Sequence, residues 1–125
     1  MKKISPLGAL LASCLSIGVA YAQEAPVKKA GDILVNDAGM TLYTFDKDAA
    51  GSGKSACNGP CAGLWPPLMA PATAKDGGDY TVITRDDGSK QWAFKGKPLY
   101  TYSPDKKTGD RSGDSYKDIW HVIKN

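Results

Sequence analysis

The chain has 125 residues and a formal charge of +3, from 16 Lys and Arg against 13 Asp and Glu. That length supports one small domain, because two would each have too little core. With 14 Gly, 8 Pro and 9% aromatic residues, the composition is turn-rich and points to a mainly β fold rather than a helix bundle or coiled coil.

In chain order the first element is an address. Lys2 and Lys3 precede an apolar run from Ile4 to Val19, and Ala20-Tyr21-Ala22 offers small residues where a signal peptidase reads. This order of charged start, apolar middle and small-residue site predicts a signal peptide over 1–22. Leu11-Ala12-Ser13-Cys14 resembles a lipobox, whose Cys14 would be acylated and become the anchored N-terminus, but the apolar run continues past it. Cleavage after Ala22 leaves 103 residues with a formal charge of +1. Such a near-neutral surface has no electrostatic footprint for nucleic acid, and the expected localisation is periplasmic or secreted, without a transmembrane span.

Residues 23–30, with Pro26 and Lys28-Lys29, read as a flexible leader, so the domain is expected to begin at Gly31. Ile33 to Val35 is a short apolar strand, Asn36-Asp37-Ala38-Gly39 a turn, and Met40 to Phe45 a second strand. Ala49 to Ser55 is a long loop. Cys57-Asn58-Gly59-Pro60-Cys61 follows it, where a Gly-Pro turn can bring the two sulfurs together, and an oxidising compartment favours a disulfide. Two other readings stay open at these cysteines. One is a redox-active dithiol, although such motifs usually have two intervening residues. The other is a copper site using Cys57, Cys61 and His121, with soft ligands of the kind Cu(I) prefers.

Beyond Trp65-Pro66-Pro67-Leu68, the segment Tyr80 to Tyr102 reads as a three-stranded meander turning at Asp86-Asp87-Gly88 and near Gly96. Its register is open, because a loop of two or three residues at Gly96 changes which residue faces Trp92. Ser103 to Asp118 is a second long loop, whose turns Asp105, Asp110, Asp114 and Asp118 are placed to cap.

An internal repeat underlies this order. Leu42-Tyr43-Thr44-Phe45-Asp46-Lys47-Asp48 falls on Leu99-Tyr100-Thr101-Tyr102-Ser103-Pro104-Asp105 at a shift of 57 residues. Each copy is preceded by a hairpin and followed by a polar loop and a Trp, Trp65 or Trp120. The expected fold is therefore a small single domain of two related β-hairpin repeats with long loops, covering 31–70 and 80–125. Tyr43-x-Phe45-x-x-Asp48 and Tyr100-x-Tyr102-x-x-Asp105 both satisfy a Yx(FWY)xxD pattern. In this, and in the Cys57–Cys61 segment leading into Trp65-Pro66-Pro67-Leu68, the chain resembles a bacterial secreted-repeat family of predicted lipoproteins. The resemblance implies export and this architecture, and carries no established activity.

Residues two apart on a strand share a face, so Tyr43 with Phe45, Tyr100 with Tyr102, and Trp92 with Phe94 each project an aromatic pair to one side. Two roles follow for the motif. Either the aromatics pack the sheet while Asp48 and Asp105 fix the loops after them, or they form an exposed platform rimmed by Asp46, Asp48 and Asp105 that suits a glycan. Calcium at Asp46-x-Asp48 is disfavoured, because the twelfth position of such a loop is Cys57, which supplies no oxygen ligand. His121 lies in an apolar alternation with no nucleophile elbow or phosphate loop. The sequence thus favours a non-enzymatic envelope domain, without cofactor, that binds or scaffolds an envelope component or protein. A periplasmic copper-binding or thiol-redox factor is the alternative.

Overall fold

In the computed structural model, which describes residues 24–125, the two sequence repeats fold into matching sets of short antiparallel strands. The expected signal peptide over 1–22 and the lipobox-like Cys14 lie outside the described residues. No described helix is long and apolar enough to cross a membrane.

The first repeat contributes β1 (Val27–Ala30), β2 (Ile33–Asn36), β3 (Tyr43–Phe45), the one-turn helix α1 (Pro60–Leu64) and β4 (Met69–Ala70). The second contributes β5 (Tyr80–Thr84), β6 (Lys90–Phe94), β7 (Lys97–Pro98), a 3₁₀ turn at Tyr116–Asp118 and β8 (Trp120–Val122). Strand β1 corrects the expected leader. Val27–Ala30 pairs antiparallel with Ile33–Asn36 around a two-residue turn at Gly31-Asp32, where Gly31 takes φ +62°. Its exposed Lys28 and Lys29 hide the strand from a hydrophobicity pattern, and charge of this kind is what keeps an open sheet edge from pairing with other chains.

Two further hairpin turns, after β2 and after β6, follow local chemistry. Asn36 Oδ1 accepts the N–H groups of Ala38 and Met40, each at 2.9 Å, an Asx turn that closes the first hairpin. In the second, Lys95 and Gly96 have φ +50° and +84°, the conformation of a two-residue hairpin loop. That loop fixes the register: Ala93 faces Pro98, Phe94 faces Lys97, and Val82 faces Trp92. The meander over β5, β6 and β7 is present, with β4 beside β7 on the edge of β6 opposite β5.

Strand β4 reveals how the repeats are joined. It pairs not with its own repeat but with β6 of the second, Met69 facing Gln91, and the preceding Pro67 bridges to Tyr100. Reciprocally β8 pairs with β3 of the first repeat, Tyr43 facing Val122 and Phe45 facing Trp120, and Lys124 bridges to Ile33. Each repeat therefore hands its last strand to the other. Tyr43 and Tyr100 sit at the centre, exchanging both backbone hydrogen bonds at 2.8 and 3.0 Å.

Two cores result. One holds Leu34, Leu42, Leu68, Trp92, Leu99 and Ile123, and the other Ile33, Val35, Tyr43, Phe45, Cys57, Trp65, Tyr100, Trp120 and Val122. Both draw residues from both repeats, so neither repeat has a complete core of its own.

Candidate functional site

The motif residues meet across the repeat boundary. Tyr43 Oη donates to Asp105 Oδ2 at 2.6 Å and Tyr100 Oη donates to Asp48 Oδ2 at 2.6 Å. The tyrosine of each motif copy thus binds the aspartate of the other. The remaining oxygen of each carboxylate pins its own loop: Asp48 Oδ1 accepts Ala56 N–H at 2.6 Å, and Asp105 Oδ1 accepts Ser112 N–H at 3.0 Å together with the Ser112 hydroxyl. Spacing within the motif follows from this arrangement. Tyrosine must point inward from the strand, whereas aspartate must lie just past its end, where the loop amides turn toward it.

The third motif position builds a stack of four rings. Phe45 lies on Trp120 at 4.1 Å, Trp120 on Trp65 at 3.8 Å, and Trp65 on Tyr102 at 4.1 Å. First and second repeats alternate along it, while Tyr43 and Tyr100 meet Trp65 and Trp120 edge-on at 5.2 and 5.1 Å. Tyr43 and Tyr100 are 0% exposed and Phe45 is buried, so these residues form no exposed platform. The inward face of β3 and the bridge between Tyr43 and Tyr100 carry them into the second core.

Charge and hydrogen bonding in this interior are closely balanced. Burial, reinforced by the facing carboxylates, pushes the phenols of Tyr43 and Tyr100 well above their ordinary range. Burial likewise raises the Asp48 carboxyl, opposed by the Tyr100 hydrogen bond, the Ala56 amide and the charges of Arg85 and Lys97. Since Tyr100 donates its proton to Asp48, Ser55 Oγ donates to Tyr100 at 2.6 Å. Buried Arg85 completes the cluster, giving Nη1 to Ser55 Oγ at 3.1 Å and to Gln91 Oε1 at 2.7 Å, and Nη2 to the Cys57 carbonyl at 2.5 Å. A buried cation needs this many acceptors to offset its desolvation.

Sequence reasoning missed Ser55, Ser112, Arg85 and Gln91. The two serines had a readable signal, because they stand at the same 57-residue shift as the motif. Arg85 had none, as it opens an ordinary-looking Arg85-Asp86-Asp87-Gly88 turn.

Cys57 and Cys61 form a disulfide that closes the loop around α1. His121 is not beside them. Its Nε2 lies 2.9 Å from Asp46 Oδ2 on the exposed face of the β3–β8 pair, and no group of three His, Cys, Asp or Glu side chains converges among the described residues. The copper set Cys57, Cys61 and His121 is thus not assembled in this conformation. In the long second loop, Asp110 Oδ2 accepts the amides of Lys106 and Lys107, and Asp114 Oδ1 that of Val122.

The surface of the described residues includes two grooves. One, about 460 Å³, runs between Glu24–Val27 and the 75–77 segment, with Tyr80 and Trp92 in its wall. The other, about 450 Å³, lies between the disulfide loop and the Arg85–Ser89 turn, beside Met69, which is 50% exposed.

No curated protein and no solved structure gives a significant match to this chain. Residues 26–69 and 81–124 each match a family described as a secreted repeat of unknown function. These two spans coincide with the two interlocked units and leave out only the segment that joins them and the ends of the chain. The chain therefore belongs to this secreted-repeat family, and carries two copies of its repeat folded into one domain.

Proposed function

We propose that this chain is a non-enzymatic domain of the bacterial cell envelope, released into the periplasm or exterior by cleavage after Ala22, and that it binds an envelope glycan in the groove beside Tyr80. The observation that carries this reading is the composition of that groove. The half-buried ring of Tyr80, with Phe94 5.1 Å behind it, lies in the groove wall beside Trp92, and Glu24, Lys75 and Asp76 stand at the groove margin. Aromatic faces with a few polar groups at the rim suit a sugar ring, whose C–H face stacks while its hydroxyls hydrogen-bond. Asp76 is held in place, since its Oδ1 accepts the Val82 amide at 2.9 Å. No catalytic role is assigned to the motif residues, which lie in the other core.

The test is binding of the processed protein to purified envelope glycan and to soluble fragments of it, by co-sedimentation and calorimetry. Tyr80→Ala is expected to weaken binding about tenfold, the loss of about 1.4 kcal/mol of stacking. Absence of binding to any such glycan, or binding unchanged in Tyr80→Ala, overturns the reading. Intact mass of the exported protein checks the processing, with Gln23 expected as the first residue rather than an acylated Cys14.

A further inference from the structure

The strand pairings, motif hydrogen bonds and ring stacks that hold the first repeat to the second are each made once in each direction. Strand β8 seats on the first repeat as β4 seats on the second, Tyr43 reaches Asp105 as Tyr100 reaches Asp48, and Phe45 covers Trp120 as Tyr102 covers Trp65. The surface that one repeat offers is therefore fully satisfied by any copy of the other repeat, on the same chain or on another. Only the segment 71–79 makes the pairing intramolecular.

We propose that this surface also accepts a second copy of the chain: two chains exchange their second repeats about the 71–79 segment and rebuild two complete units. Exchange of this kind preserves every contact except those of the hinge, which is why it is a low-cost route to dimers. Here the hinge bonds divide cleanly. Ala74 N–H bonds back to Pro71, on the side of the first repeat, whereas Asp76 holds Val82, and Gly77 and Tyr80 bond each other, on the side of the second. Opening at Lys75 breaks none of them. The closed form is favoured at low concentration because the tether supplies an effective concentration in the millimolar range.

The geometry also says how to shift the balance. Strands β4 and β5 both run antiparallel to β6, with Ala70 opposite Lys90 and Tyr80 opposite Phe94. The connection must therefore travel four residues along the sheet and two strands across it, about 16 Å at ordinary strand spacings. Removing residues 72–78 leaves three Cα steps between Ala70 and Tyr80, about 10 Å at full extension, too short to close within one chain.

The experiment uses the processed chain and two kinds of variant. Deletion of 72–78 is expected to double the mass measured by light scattering while keeping the near-ultraviolet circular dichroism of the stacked rings, and a folded monomer overturns the proposal. Should the deletion prevent folding, the intact linker gives a separate answer. Thr44 and His121 are register partners across β3 and β8, at a separation a disulfide spans. Thr44→Cys chains and His121→Cys chains are mixed, unfolded with the native disulfide retained, refolded together and oxidised. A disulfide between position 44 of one chain and 121 of the other, increasing with protein concentration, is expected. Its absence at every concentration, while the doubly substituted single chain forms the bond internally, overturns the proposal.

Discussion

Removing the Tyr43 hydroxyl by Tyr43→Phe tests whether the motif acts across the repeats or within one. The substitution keeps the ring against Trp65 but leaves Asp105 Oδ2 without its donor and Gly113 N–H without the acceptor it has at 3.2 Å. A hydrogen bond to a charged group contributes about 1.5–3 kcal/mol, and an orphaned buried amide costs about 1–3 more. The expected loss is therefore about 3 kcal/mol, a large part of the roughly 5–15 kcal/mol by which domains are stable. Urea unfolding followed by tryptophan fluorescence reads it, and two double-mutant cycles assign it. Tyr43→Phe with Asp105→Asn should show a coupling of about 1.5 kcal/mol or more. Tyr43→Phe with Asp48→Asn, which pairs the two residues of a single motif copy, should be additive to within about 0.5 kcal/mol. Equal couplings in the two cycles, or a larger one within the copy, would refute the cross-repeat lock.

Replacing both Cys57 and Cys61 with Ala should lower stability by about 2 kcal/mol, the loop-closure entropy of so short a ring, with the Arg85 cluster retained; denaturant melts of the two forms check this. Because Tyr43 and Tyr100 bind their protons more tightly folded than unfolded, the stability they contribute is complete below about pH 10 and is lost as pH rises above it. Titration of phenolate absorbance should show the exposed tyrosines ionising first, and the buried pair only together with unfolding. Gly113→Ala should destabilise by about 2 kcal/mol or more, since the added Cβ falls 2.6 Å from Trp65 Cη2 and 2.9 Å from Tyr102 Cγ, an overpacking that the ring stack cannot relieve. A thermal melt measures that loss.

Local signals in the sequence determined much of the domain. The Asn36 turn, a turn near Gly96, the strands at Ile33 and Tyr80 and the disulfide loop all rest on residues near one another in the chain, whereas the two-residue length of the Lys95-Gly96 loop and the register it sets came from the fold. Periodicity and turn chemistry express such short-range preferences directly. The 57-residue shift added the equivalence of the two halves, and with it the family. Strand β1 escaped because an edge strand with Lys28 and Lys29 exposed carries no apolar alternation.

Tertiary structure alone decided what the motif does. Nothing in Tyr43-x-Phe45-x-x-Asp48 says that the tyrosine answers to Asp105, because a hydrogen bond between residues 62 apart depends on which strand lies beside which. Two copies of one motif are equally compatible with bonding within each copy or across them. The exchange of β4 and β8 made the choice. It brought Trp65 onto Trp120 and buried the aromatics that sequence reasoning left free to form a platform, and it gave Arg85 the acceptors that make a cation tolerable inside. Sequence thus determined the parts and their duplication, which are local and repetitive, whereas the interlocking is a property of long-range pairing that only the folded chain expresses.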